Sequence, residues 1–272
     1  MLQELLSRLS RRFIKPLPLD FYQFGSAGFR NPGSRGNGRK RAGFQVSLAP
    51  AIVSLEDRIL LSASIVVNNP TDTPVAGLTD LREAIAQANT NGGNQAIIFD
   101  AIVFATAQTI TLGGAQLELR DTTGTATITI TGPTAGVTVS GNNVSRVFHV
   151  DVGVTASISG LTITSGKASI GDGGGIANWG NLTLRQCWVT SNTAVGNGGG
   201  LANFGSVVVT GSTFSYNAAD NGGAIANLVN HQVQKFAPNL AVRDSTIVAN
   251  IAVSSLHNTY YDGQGGGMTA PN

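Results

Sequence analysis

Few side chains in this sequence are placed for chemistry. His231, His257, Tyr260, Tyr261 and Asp262 fall where an otherwise regular pattern is interrupted, and such a set could hold a metal ion or a glycan. Their spacing fits no metal-ligand signature, so no cofactor is expected and the two histidines and two tyrosines stand as candidate ligand contacts only. Cleavage of a polysaccharide would need a carboxylate pair, or acidic Ca²⁺ ligands beside a basic residue. From residue 65 onward there are 11 acids and 7 Lys/Arg in 208 residues, spread thinly. The repeat alignment below puts no two acids on one coil face. Asp151, Asp172 and Asp220 lie in turn sequences, where Asp is ordinary. Cys187 is the single cysteine, so it makes no intrachain disulfide and reads as a small core residue. Trp188 points outward by strand alternation, which makes it one more candidate contact.

What must position these residues is a repeat. Gly174-Gly175-Ile176-Ala177-Asn178, Gly199-Gly200-Leu201-Ala202-Asn203 and Gly223-Ala224-Ile225-Ala226-Asn227 recur at intervals of 25 and 24 residues. Each is followed by an alternating apolar segment (Leu182 to Leu184, Val207 to Val209, Leu240 to Val242), then a small residue (Cys187, Ser212, Ser245). A second apolar residue follows (Val189, Phe214, Ile247), then another Asn (Asn192, Asn217, Asn250). Alternation rich in β-branched residues predicts short strands, and a period near 25 predicts a solenoid, because one unit alone cannot bury its apolar face. The expected fold is all-β: a parallel β-helix of about seven coils at the repeat period, spanning 96–272 with its last coil incomplete. The six Asn are expected at corners, tolerating the left-handed conformation, satisfying backbone groups and hydrogen-bonding in structural ladders. Trp179, Phe204 and Leu228 each follow the first Asn and are expected to stack. The last unit runs 43 residues from Ala224 to Gly267, and its excess divides into the two additions that carry the His and Tyr residues. Additions to a solenoid become loops, often on its binding face.

Residues 1–64 differ in character. Residues 1–50 carry nine Lys/Arg against Glu4 and Asp20, which is +7 in a chain of net charge +2, so the remainder is net −5. A basic arm can bind nucleic acid, but the repeats offer no matching basic face, so no nucleic-acid partner is expected. The segment reads instead as a largely disordered export leader. Leu55-Glu56-Asp57-Arg58-Ile59-Leu60-Leu61-Ser62-Ala63 resembles a short segment near the start of many large surface proteins of environmental bacteria, which implies export. No apolar run reaches the length of a transmembrane span.

Residues 65–95 read as an N-terminal cap, with a helix near 80–89. Asp80 and Glu83 form a capping-box pattern, and Leu81, Ala84, Ile85 and Ala88 have helical spacing. Leu78 to Ile85 with Ala88-Asn89 resembles the S-L-R-E-A-I-x-x-A-N capping segment of bacterial right-handed β-helix surface proteins, Asp80 standing for the usual Ser. Gly222-Gly223-Ala224-Ile225 and Phe214-Ser215-Tyr216-Asn217 resemble the G-G-A-I and F-x-x-N marks of the polymorphic outer membrane protein repeat. The resemblance implies a right-handed parallel β-helix, exported to the cell surface or outer membrane, and the thinly spread acids make the expected function that of a non-catalytic module, structural or adhesive. It would act as a monomer, with glycans or cell-envelope components as partners. The alternative is a carbohydrate-active β-helix, lyase- or hydrolase-like.

Overall fold

The computed structural model describes residues 64–91, 93–120, 127–229, 238–253 and 268–269. Residues 1–63, where the export leader is expected, and His231, His257, Tyr260 and Tyr261 lie outside the described residues.

The strands are short, and every pairing between them is parallel and joins one coil to the next. They assemble four sheets. Sheet A has seven strands: Ser64–Val67 (β1), Gln95–Phe99 (β2), Thr127–Thr131, Thr155–Ser159, Asn181–Arg185, Ser206–Thr210 and Asn239–Arg243. Sheet B has six: Gln108–Thr111, Val137–Ser140, Leu161–Thr164, Trp188–Thr190, Thr213–Ser215 and Thr246–Val248. Sheet C also has six: Leu117–Leu119, Phe148–Val150, Ile176–Asn178, Leu201–Asn203, Ile225–Asn227 and Met268–Thr269. Sheet D has four two-residue strands: Lys167–Ala168, Thr193–Ala194, Ala218–Ala219 and Ile251–Ala252. One coil visits A, B, D and C in turn. The result is a parallel β-solenoid of about six turns.

The coil count is lower than the bare repeat period implies. Successive register partners on sheet A are 33 residues apart from Ala96 to Thr129, then 28, 26 and 25, and 33 again from Val207 to Leu240. Only the middle coils keep the 25-residue length that the repeats display. The sheets nonetheless stay in register, because extra residues are absorbed between strands while each inward side chain keeps its level. Ile176 sits over Phe148, Val189 over Ile163, and Met268 pairs with Ile225 beyond the second addition.

Alternation decides what faces in. In Thr127–Thr131 the isoleucines are buried and the threonines face out, and the same division holds along Leu161–Thr164 and Ser206–Thr210. The inward residues form one continuous apolar core from Val67 to Ile225. Ala168, Ala194 and Ala219 form a small separate stack under sheet D.

The helix Leu81–Thr90 (α1) joins β1 to β2, which pair in parallel, so the cap and the solenoid share sheet A. Asp80 accepts from the Glu83 backbone N–H at 2.8 Å, and the Asp80 N–H donates to Glu83 Oε2 at 3.0 Å, which closes the capping box. Leu81, Ala84, Ile85 and Ala88 are buried in the main core. Two polar residues of the capping segment fasten the helix sideways. Arg82 makes a two-point ion pair with Asp72 and donates to the carbonyls of Ala115 and Gln116. Asn89 donates to the Glu118 carbonyl at 2.8 Å and accepts from the Arg120 N–H at 2.9 Å.

Candidate functional site

The Asn side chains inside the stack bond from coil to coil. Asn178 Nδ2 donates to Asn203 Oδ1 at 2.7 Å, and Asn203 Nδ2 donates to Asn227 Oδ1 at 2.7 Å. In the second column Asn192 Nδ2 donates to Asn217 Oδ1, and Asn217 Nδ2 to Asn250 Oδ1, each at 2.9 Å. The Oδ1 atoms also accept backbone N–H groups: Asn192 from Gly166, Asn217 from Asn192, and Asn178 from Gly180. Asn178, Asn192, Asn203 and Asn217 are fully buried. Burial and these bonds together close the four side chains to a ligand from solvent.

One detail differs from expectation. None of the six Asn is in the left-handed region. At the corner before the second column that conformation falls to the preceding residue: Ser165, Ser191, Tyr216 and Ala249, with φ between 51° and 55°. The Asn earn their places by side-chain hydrogen bonding, and the backbone strain sits one residue upstream.

A third column escaped the sequence reading. Asp172 Oδ1 accepts from the Asn197 N–H at 2.6 Å and from Asn197 Nδ2 at 2.8 Å, and Asn221 Nδ2 donates to Asn197 Oδ1 at 3.1 Å. The signal was present in the spacing, since 172, 197 and 221 repeat the 25- and 24-residue intervals of the first column. Asp172 reads as a turn residue only when taken alone.

Cys187 is buried, and its thiol lies 3.3 Å from the Arg185 carbonyl and 3.5 Å from that of Ile158. Burial pushes the thiol above its ordinary pKa, which disfavours the nucleophilic thiolate. In the coils above, Ser212 and Ser245 use the same slot to accept the backbone N–H of the coil beneath, at 3.1 Å in each case. Trp179 and Phe204 stack with ring centroids 4.1 Å apart and planes 13° apart. Gly205, next in sequence, packs so tightly that a Cβ there would lie 2.1 Å from the Gly180 carbonyl oxygen.

The exterior holds two distinct places. The first is a charged cluster on sheet C near the cap, and it corrects the expectation that no two acids share a coil face. Glu118 lies beside His149 in register, and Asp151 follows one strand end later. Arg120 pairs with Glu118 and reaches Asp151 at 3.7 Å, while His149 Nε2 lies 3.0 Å from Asp151 Oδ1. Glu118 belongs to a coil upstream of the regular repeats, so an alignment built on residues 156–252 could not place it. Arg146 lies near this group. It donates to the carbonyls of Gly173 and Asp172 and to Gln116 Oε1, linking three consecutive coils. Burial lowers the Arg146 pKa, with Asp172 opposing. Burial, and then the neighbouring Arg146 charge, lower that of His149 against the opposing pull of Asp151 and Glu118. Among the described residues, His149 Nδ1 and Ser145 Oγ are buried without a hydrogen-bond partner. No group of three His, Cys, Asp or Glu among them is arranged to hold a metal ion.

The second place is the outer face of sheet B, where Trp188 stands 63 % exposed between Thr162 below and Thr213 above. The other candidate contacts lie outside the described residues. No helix among the described residues is long and apolar enough to cross a membrane. No family model, curated protein or solved structure matches the chain, so the geometry of these faces carries the functional argument.

Proposed function

We propose that this chain is an exported, non-catalytic β-helix of the bacterial surface, a structural or adhesive module built on repeats of the polymorphic outer membrane protein type. The observation that supports it is the division between inside and outside. The inward Asn side chains hold one coil on the next, and the broad outward faces carry regularly spaced small polar groups. That is the construction of a stiff rod with an extended contact surface. The basic leader and its export-type segment support the surface location, and the cap segment agrees with both.

A carbohydrate-active reading draws on one specific arrangement: two carboxylates, a histidine and two arginines within adjacent coils of sheet C. Against it, each carboxylate already has a cationic or imidazole partner within the cluster. Incubating the full chain with neutral and acidic polysaccharides, with and without Ca²⁺, beside a glycan and envelope-fraction binding array, separates the readings. Retention without sugar release is expected. Release of unsaturated or reducing sugars would replace the adhesive reading with the enzymatic one.

A further inference from the structure

The four side faces differ in charge. Sheet C carries Glu118 and His149, sheet A carries Arg185 and Arg243, and sheet D carries Lys167. The six strands of sheet B contain no charged residue at all. Their outward positions form two rows across the coils. One row runs Thr109, Thr138, Thr162, Trp188, Thr213, Thr246. The other runs Thr111, Ser140, Thr164, Thr190, Ser215, Val248. In the second row Ser215 Oγ donates to Thr190 Oγ1 at 3.0 Å and Ser140 Oγ accepts from the Asn142 N–H at 3.2 Å, whereas Thr138, Thr162, Thr164 and Thr213 hold their hydroxyls outward on the face. Trp188 replaces a threonine in the middle of its row and presents most of its ring to solvent.

We propose that this face binds a neutral, β-1,4-linked polysaccharide laid along the coil axis, with one sugar ring stacked on Trp188 and the adjoining sugars hydrogen-bonded by the two hydroxyl rows. The proposal rests on the adhesive reading and names its ligand. Three features select this occupant. The rows repeat at the strand spacing of about 4.8 Å, close to the advance of one sugar in an extended β-1,4 chain, whose successive sugars alternate by half a turn and so present their hydroxyl edges to the two rows in turn. An indole face offers a flat apolar partner to the C–H face of a pyranose and removes both from water. A polyuronate would lose the hydration of its carboxylates against a sheet that supplies no cation.

The test is affinity electrophoresis of the full chain in native gels containing hydroxyethylcellulose, with pectate and dextran gels in parallel. Retardation is expected in the β-1,4-glucan gel alone. Trp188→Ala should weaken it about tenfold, the size of effect for truncating an aromatic anchor, and Thr162→Val with Thr213→Val should weaken it several-fold. Thr183→Val, on the outer face of sheet A, should leave it unchanged. Trp188→Thr restores the residue type of its row, so it provides a second variant at the anchor whose folding does not depend on tolerance of Ala. The proposal is overturned by no retardation in the glucan, by equal retardation in pectate or dextran, or by retardation that survives both the Trp188 and the threonine variants. Thermal hysteresis of freezing without glycan retention would assign the hydroxyl rows to ice and also overturns it. Binding to pectate or envelope fractions alone defeats this proposal and leaves the adhesive reading standing. Sugar release defeats both.

Discussion

Asn203 is the residue on which the first ladder turns, since it accepts from Asn178 and donates to Asn227. Asn203→Ala should cost roughly 1–3 kcal/mol, the scale for leaving buried polar groups unpaired, and chemical denaturation would read it. An unchanged midpoint would mean the ladder adds nothing at that level. His149 gives a pH signature. Its folded pKa lies below the ordinary 6.5, through burial and Arg146, and the facing charges are Arg146, Asp151 and Glu118. As pH falls below 6.5 the unfolded chain takes a proton that the folded chain resists, so stability is full above that value and declines beneath it. Urea midpoints at about pH 7.5 and 5.5 should differ in that direction in the native chain, and His149→Gln should narrow the difference. At this scale the ladder Asn were readable because they recur at one period. Glu118 and Asp151 were not, because neither recurs and only the register of sheet C brings them together.

Among the elements, α1 was legible in full, because capping, apolar spacing and termination all agree over one short stretch. Its manner of attachment was not. Arg82 and Asn89 look like solvent-facing helix residues in sequence, and their partners lie in a coil about 30 residues away. Arg82→Ala removes the ion pair to Asp72 and two donors to the first coil. It should destabilise by about 2 kcal/mol, in line with charged hydrogen bonds, and open the cap before the body of the stack. Limited proteolysis would show this as early cleavage around residues 68–91. Cleavage no faster than in the native chain would assign the attachment to the buried face of α1 alone. The corner geometry was also only half visible. Asn was the natural choice for the left-handed position, yet the chain places Ser191, Tyr216 and Ala249 there and uses Asn for its side chain.

For the molecule as a whole, the repeat announced the architecture and understated its irregularity. Coils of 33, 28, 26, 25 and 33 residues share one set of sheets, because register is set by inward side chains while extra length falls between the paired strands. The uncharged character of sheet B was present in the sequence too, but it emerges only once six strands are laid side by side. The ladders carry one more consequence. In both columns the bonds between side chains run one way: each amide donates to the Oδ1 of the Asn one coil further from the cap, while in the second column the amides of Asn192 and Asn217 also donate back to a carbonyl of the coil beneath. Sheet hydrogen bonds alternate in direction, whereas these bonds from amide to amide all share one, so each bonded amide polarises the next. The ladders therefore have a direction along the stack, set by donation away from the cap. A coil set in upside down would place donor against donor and acceptor against acceptor in these columns, so the ladders favour one orientation of each coil.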